Sequence, residues 1–159
     1  FHTGDIGEFD SDGYLKITDR KKSLFKSSGG KYIAPTHIEE LVSNLHYVDQ
    51  IMIIGNERMY VTALIIPEIN ELKSLAKKLG IKIEFESDMF TNPVIIKQIE
   101  KDINEVQKNL ASFEKIRKFN LIQTPFTIEG GELTPTLKIK RKFVEEKYKY
   151  IIDNMYHKV

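Results

Sequence analysis

The sequence predicts an α+β fold, with α/β as the alternative: short β-hairpins and a small central sheet flanked by helices. Three observations carry that expectation. Apolar/polar alternations at residues 6–9 and 14–18 flank Asp10-Ser11-Asp12-Gly13, and an Asp-Gly turn between alternating runs is a strong hairpin signal. Two further β runs, 48–54 and 60–66, flank Gly55-Asn56-Glu57-Arg58, which carries turn chemistry. Around them, apolar residues recur at helical spacing behind recognisable start signals.

In chain order, residues 23–26 read as a short strand that enters the flexible loop Ser27-Ser28-Gly29-Gly30. Pro35 suits the first turn of a helix, where Glu39 and Glu40 would meet the positive end of the helix dipole. Ile38, Leu41, Val42 and Leu45 give that helix its apolar stripe. After the second β run, Pro67 acts as a stop, and Leu72, Leu75, Ala76 and Leu79 mark a helix closed by Gly80. Residues 81–90 show no clear period. Asn92-Pro93 then offers a cap and a first-turn proline for a long helix along Ile95, Ile96, Ile99, Ile103, Val106 and Leu110. Residues 118–122 read as a strand, and Thr124-Pro125 and Gly130-Gly131 punctuate the segment between that strand and the last helix. This final helix, from about Arg141, is expected to bury Phe143, Val144, Tyr148, Ile151, Ile152 and Met155. There is no internal repeat.

The 159 residues suit one domain, or one domain with a piece of a neighbour. Hydrophobic residues make up 41%, enough to build a core rather than remain disordered. The 24 basic and 23 acidic side chains cancel to a formal charge of +1, too weak a field to suggest a nucleic-acid partner. No apolar run approaches the roughly 20 residues that span a bilayer. With no cysteine, disulfides and thiolate chemistry are excluded, and a cytoplasmic protein is the natural reading. The four histidines show no metal-like spacing, so no metal ligands are assigned.

Four segments could carry chemistry. In Thr3-Gly4-Asp5, a carboxylate beside a glycine can approach vicinal hydroxyls, although a solvated turn aspartate is the plainer account. Asp19-Arg20-Lys21-Lys22 reads by default as a basic surface turn. Ser28-Gly29-Gly30-Lys31 lacks the spacing of a P-loop. Glu132-Leu133-Thr134-Pro135-Thr136-Leu137-Lys138 leads into a basic patch with Lys140, Arg141 and Lys142, which would be solvated or drawn to anionic headgroups.

Taken in order, these segments resemble the carboxyl-terminal part of the adenylate-forming enzymes, the superfamily of acyl-CoA synthetases, luciferases and peptide-synthetase adenylation domains. Residues 28–35, residues 132–138 and the excursion from 81 to 110 make long-chain fatty-acid CoA ligases the nearest group. The resemblance implies a small mobile domain over residues 23–159, a hinge at 20–22 and a terminal hairpin, 1–19, belonging to a large amino-terminal domain that is the chief partner. Asp5 would hold the ribose of ATP and Arg20 would contact the nucleotide, while Lys22 would be the hinge residue. Lys138 would reach the carboxylate and α-phosphate as the acyl-adenylate forms. A glycine commonly precedes that lysine where Leu137 stands here, which keeps Lys140 as the alternative. The loop of Ser28, Gly29, Gly30 and Lys31 would line the channel for CoA, with Glu39 as its anchor. Fatty acid, ATP with Mg2+, and CoA are the implied substrates and cofactor, and the fragment alone would be inactive. Three other readings stay open: a freestanding binding or regulatory module, an enzyme using another acyl acceptor, and a membrane-surface domain using Lys142, Lys147, Tyr148, Lys149 and Tyr150.

Overall fold

The structure, a computed structural model, describes residues 5–20 and 24–157. It contains three small sheets and five helices among those residues. Strands β1 (Asp5–Phe9) and β2 (Leu15–Arg20) form an antiparallel hairpin, closed by Asp10, whose carboxylate accepts from the amides of Asp12 and Tyr14. A second hairpin pairs β3 (Phe25–Lys26) with β4 (Tyr32–Ile33), a strand too short to signal itself in the sequence.

The central sheet has the order β5-β6-β7, with β5 (Val48–Ile54) antiparallel and β7 (Ile116–Leu121) parallel to the middle strand β6 (Val61–Pro67). Every residue of β6 is buried, as expected of a strand covered on both faces. Alternate side chains feed two cores. Ile51, Ile53, Ala63 and Ile65 pack on one face with α1 (Pro35–Ser43), α2 (Ile69–Lys78) and α3 (Pro93–Val106). Met52, Ile54, Leu64 and Ile66 pack on the other with α4 (Arg141–Lys147), α5 (Lys149–Tyr156) and Phe126. Asn92 caps α3 by accepting from the amides of Val94 and Ile95, in keeping with the Asn-Pro signal.

Several expectations are corrected. Helix α3 ends at Val106 rather than Leu110, because the side chain of Gln107 turns inward and bonds both the N–H (2.8 Å) and the C=O (3.2 Å) of Ile116. Residues 81–90 form a loop followed by a 3-10 turn, Glu86–Phe90, which buries Met89 and Phe90. The last helix breaks at Tyr148 into α4 and α5, and the break lets Tyr148 pack against Phe126 at 6.0 Å between ring centres. Phe143 is 38% exposed rather than buried, with the Lys140 ammonium 5.3 Å over its ring. Glu39 lies past the first turn of α1 and is used elsewhere.

Candidate functional site

Lys138 stands on a short β-like excursion, pinned at its base by a bridge between Leu133 and Ile139 and by the Lys140 amide donating to the Glu132 carbonyl at 2.7 Å. Within the excursion Pro135 sits in a tight turn. The Leu137 amide donates back to the Thr134 carbonyl (2.8 Å), and the Thr134 hydroxyl accepts from the Lys138 amide (3.1 Å). That closure drives Leu137 to φ +62°, a left-handed conformation that glycine adopts freely and leucine does not. Lys138 itself is exposed and makes no ion pair among the described residues. Lys140, in contrast, stands at the N-cap position of α4 without a side-chain capping hydrogen bond, and its ammonium lies over the ring of Phe143.

The base of this excursion is built around a buried acid. Glu132 is 1% exposed, accepts from the Thr127 amide and is paired with the Lys147 ammonium. Burial alone would raise its carboxyl, but the Lys147 hydrogen bond and the backbone donors outweigh it and hold the carboxyl below its ordinary range. The same bond raises the Lys147 ammonium.

The 28–31 loop is the turn of the β3–β4 hairpin. The Ser27 hydroxyl accepts from the Lys31 amide (3.1 Å), the Gly30 amide donates to the Ser27 carbonyl (2.9 Å), and Gly30 takes φ +80°. This hairpin is carried by the β5–β6 turn. The Ser28 amide donates to the Arg58 carbonyl (2.9 Å), the Glu57 amide to the Lys26 carbonyl (2.7 Å), and the Lys26 amide to the Asn56 side chain (3.3 Å). Phe25 approaches the turn so closely that a Cβ on Gly55 would lie 2.7 Å from its ring. Ser28, Gly29, Gly30 and Lys31 are all exposed, and the Lys31 ammonium lies 5.8 Å over the ring of Phe113.

Glu39 joins the two presented segments. One of its oxygens accepts from the Ile53 amide at 2.8 Å, and both accept from the Arg141 guanidinium at 2.8 and 2.7 Å. Arg141 also donates to the Ile53 carbonyl at 3.1 Å. The helix after the glycine hairpin is thereby tied to the helix after Lys138. A groove of about 420 Å³ runs between α1 and the Lys138 excursion, lined by Thr36, Glu39, Gln50, Leu133, Leu137 and Ile139. Arg141, Glu132 and Lys147 carried no sequence signal of these roles: their partners lie 102 and 15 residues away.

Asp5 and Arg20 are cross-strand partners in the β1–β2 hairpin, so the register brings these two positions together. Lys22 and His2 lie outside the described residues. Of the basic-aromatic segment considered for membranes, Lys147 and Tyr148 are engaged within the fold, whereas Lys142, Lys149 and Tyr150 remain exposed. No described helix is long and apolar enough to cross a membrane. Among the described residues no group of three or more His, Cys, Asp or Glu is placed to hold a metal ion.

Comparison with known proteins agrees with this architecture. The chain is 38% identical over 161 aligned residues to Long-chain-fatty-acid–CoA ligase 5 of Mus musculus, covering 99% of this chain and 23% of the relative. It is 36% identical to Long-chain-fatty-acid–CoA ligase FadD15 of Mycobacterium tuberculosis, covering 99% and 26%. The adenylation domain of a carboxylate reductase from Mycobacterium chelonae superposes with a TM-score of 0.74 at 27% identity, covering 97% of this chain and 22% of that one. The chain therefore spans about a quarter of the length of the curated relatives it matches. The family model described as the AMP-binding enzyme C-terminal domain matches residues 23–159, and the chain belongs to that family.

Proposed function

We propose that this chain is the mobile part of an ATP-dependent long-chain fatty acid–CoA ligase. Residues 23–159 would be the small domain, 20–22 its hinge with Lys22 as the pivot, and 1–19 a hairpin belonging to a large amino-terminal domain. In the first half-reaction a fatty-acid carboxylate oxygen attacks the α-phosphorus of Mg-ATP and displaces pyrophosphate. Negative charge gathers on the carboxylate and α-phosphate, and the Lys138 ammonium is the group to meet it. Asp5 and Arg20 would hold the nucleotide, a role for which a carboxylate and a guanidinium in cross-strand register are suited. In the second half-reaction the CoA thiolate attacks the acyl carbon and AMP leaves. The exposed backbone of Ser28, Gly29, Gly30 and Lys31 would border the pantetheine channel. Mg2+ would enter with ATP, and no residue of this chain is assigned to it. A cytoplasmic setting with contact at the membrane surface suits a fatty-acid substrate.

The observation that carries the proposal is the Lys138 turn: an exposed ammonium without an ion pair among the described residues, on a hydrogen-bonded excursion whose preceding residue occupies a glycine conformation. That geometry favours Lys138 over Lys140. The names of the ligase relatives support the substrate. In the full-length protein, Lys138→Ala should lower fatty-acid-dependent pyrophosphate exchange by about 10²–10³-fold. It should leave transfer from preformed acyl-adenylate to CoA nearly intact, and Lys140→Ala should be mild in both assays. Exchange that survives Lys138→Ala would remove the assignment.

The likeness to a carboxylate reductase adenylation domain supports a second reading, in which the acyl acceptor is not free CoA. Adenylation without any acyl-CoA product would select it. A full-length protein without exchange would favour a binding or regulatory module.

A further inference from the structure

Arg58 sits on a surface turn, and an ion pair at such a place usually contributes little. Its surroundings are different in kind. The guanidinium donates to Asp153 on α5 at 3.0 Å and stacks over the ring of Tyr156 at 4.7 Å. Its carbonyl accepts the Ser28 amide, and its amide closes the turn onto the Gly55 carbonyl at 3.1 Å. The preceding residue, Glu57, takes φ +57°, a left-handed conformation uncommon for a residue other than glycine.

The end of α5 grips that turn from both sides. The Tyr156 hydroxyl donates towards the carbonyls of Tyr60 (2.9 Å) and Ile54 (3.3 Å) and accepts from Thr62 (3.0 Å). The Tyr60 hydroxyl donates to the Met155 carbonyl at 2.7 Å, and the two tyrosine rings lie 4.9 Å apart. One continuous stack results: α5, then the turn at residues 55–58, then the glycine hairpin.

We propose that Arg58 is a positioning residue through which α5 sets the place of the 28–31 loop. The proposal deepens the ligase reading above and rests on it for the consequence in catalysis. Arg58 touches no reacting group in this account; it acts on the loop through its own backbone.

The test uses the full-length protein and two readouts. Amide hydrogen exchange at Ser28 should accelerate about tenfold in Arg58→Ala, because the carbonyl that accepts it loses its anchor. Thioester formation from acyl-adenylate and CoA should fall by about tenfold or more, within the ~10²-fold that a 1 Å misplacement can cost. Pyrophosphate exchange should stay near wild type. Asp153→Asn should move both readouts in the same direction by less, and Arg58→Lys should rescue in part. Unchanged exchange at Ser28 would overturn the proposal, as would equal loss of both half-reactions, which marks a general loss of structure. If the wild-type protein forms no acyl-CoA while Ser28 still responds to Arg58→Ala, the ligase reading falls and the positioning role stands. If acyl-CoA forms normally in Arg58→Ala, the positioning role falls alone.

Discussion

At the scale of single residues, Leu137 shows what the Lys138 turn demands. A left-handed backbone disfavours leucine moderately and β-branched residues far more, since their second heavy atom on Cβ meets the carbonyl. On the proposed role of Lys138, Leu137→Gly in the full-length protein should therefore keep the turn and preserve pyrophosphate exchange, whereas Leu137→Val should displace Lys138 and lower exchange by about tenfold or more. Comparing the two variants at matched thermal stability separates geometry from folding. The Leu137 position also explains how the sequence could mislead. The resemblance leads one to expect a glycine before the lysine; leucine stands there instead, yet the backbone is the one glycine would take.

At the scale of elements, the joints between them decide the outcome more than the elements do. Gly55 is the contact at which the glycine hairpin meets the sheet, and a methyl there would collide with the Phe25 ring. Gly55→Ala should cost about 1–3 kcal/mol by forcing that ring aside, read as a lowered denaturation midpoint with an unchanged m-value. Arg141→Ala should cost about 1–3 kcal/mol because the Glu39 carboxylate, whose side chain is 15% exposed, loses both hydrogen bonds from the guanidinium. A cycle with Glu39→Gln tests this: the double variant should lose much less than the sum of the singles.

Legibility followed the same division. Elements with local signals were readable: the Asp-Gly hairpin, the Pro35 helix, the two β runs and the Asn92-capped start of α3 all stand within a residue or two of their expected places. What depended on distant partners was not. The stop of α3 at Gln107 answers to a strand nine residues on, and the break at Tyr148 answers to Phe126. The same holds for the site. Lys138 and the glycine loop stand out as candidates from their own segments, but the Glu39–Arg141 link and the Arg58 stack join residues 102 and 95 positions apart.

At the scale of the whole molecule, pH acts through the buried pair beneath the Lys138 excursion. The Glu132 carboxyl is held below its ordinary value of 4.5, so its contribution to stability is complete above that pH and is lost as pH falls through the lower folded value. Thermal unfolding followed from neutral pH down to about pH 3 should show this loss. Glu132→Gln should be less stable than wild type by about 1–3 kcal/mol at neutral pH and should lose less on acidification. Parallel curves for the two proteins would show that other carboxylates govern the acid limb. The Tyr156 hydroxyl is pushed up to about 12 by burial, so the grip of α5 on the β5–β6 turn stays protonated across that whole range.

The central sheet ends on both sides in strands with no further strand beside them among the described residues, and the uncharged run Ile51-Met52-Ile53-Ile54 lies on one of those borders. Glu39 and Arg141 occupy the outward N–H and C=O of Ile53, and the Gln107 amide occupies those of Ile116 at the opposite border. Such groups are the ones an incoming chain would use to add itself to the sheet. The charge pair and the amide thus leave those backbone groups already taken where an added strand would need them.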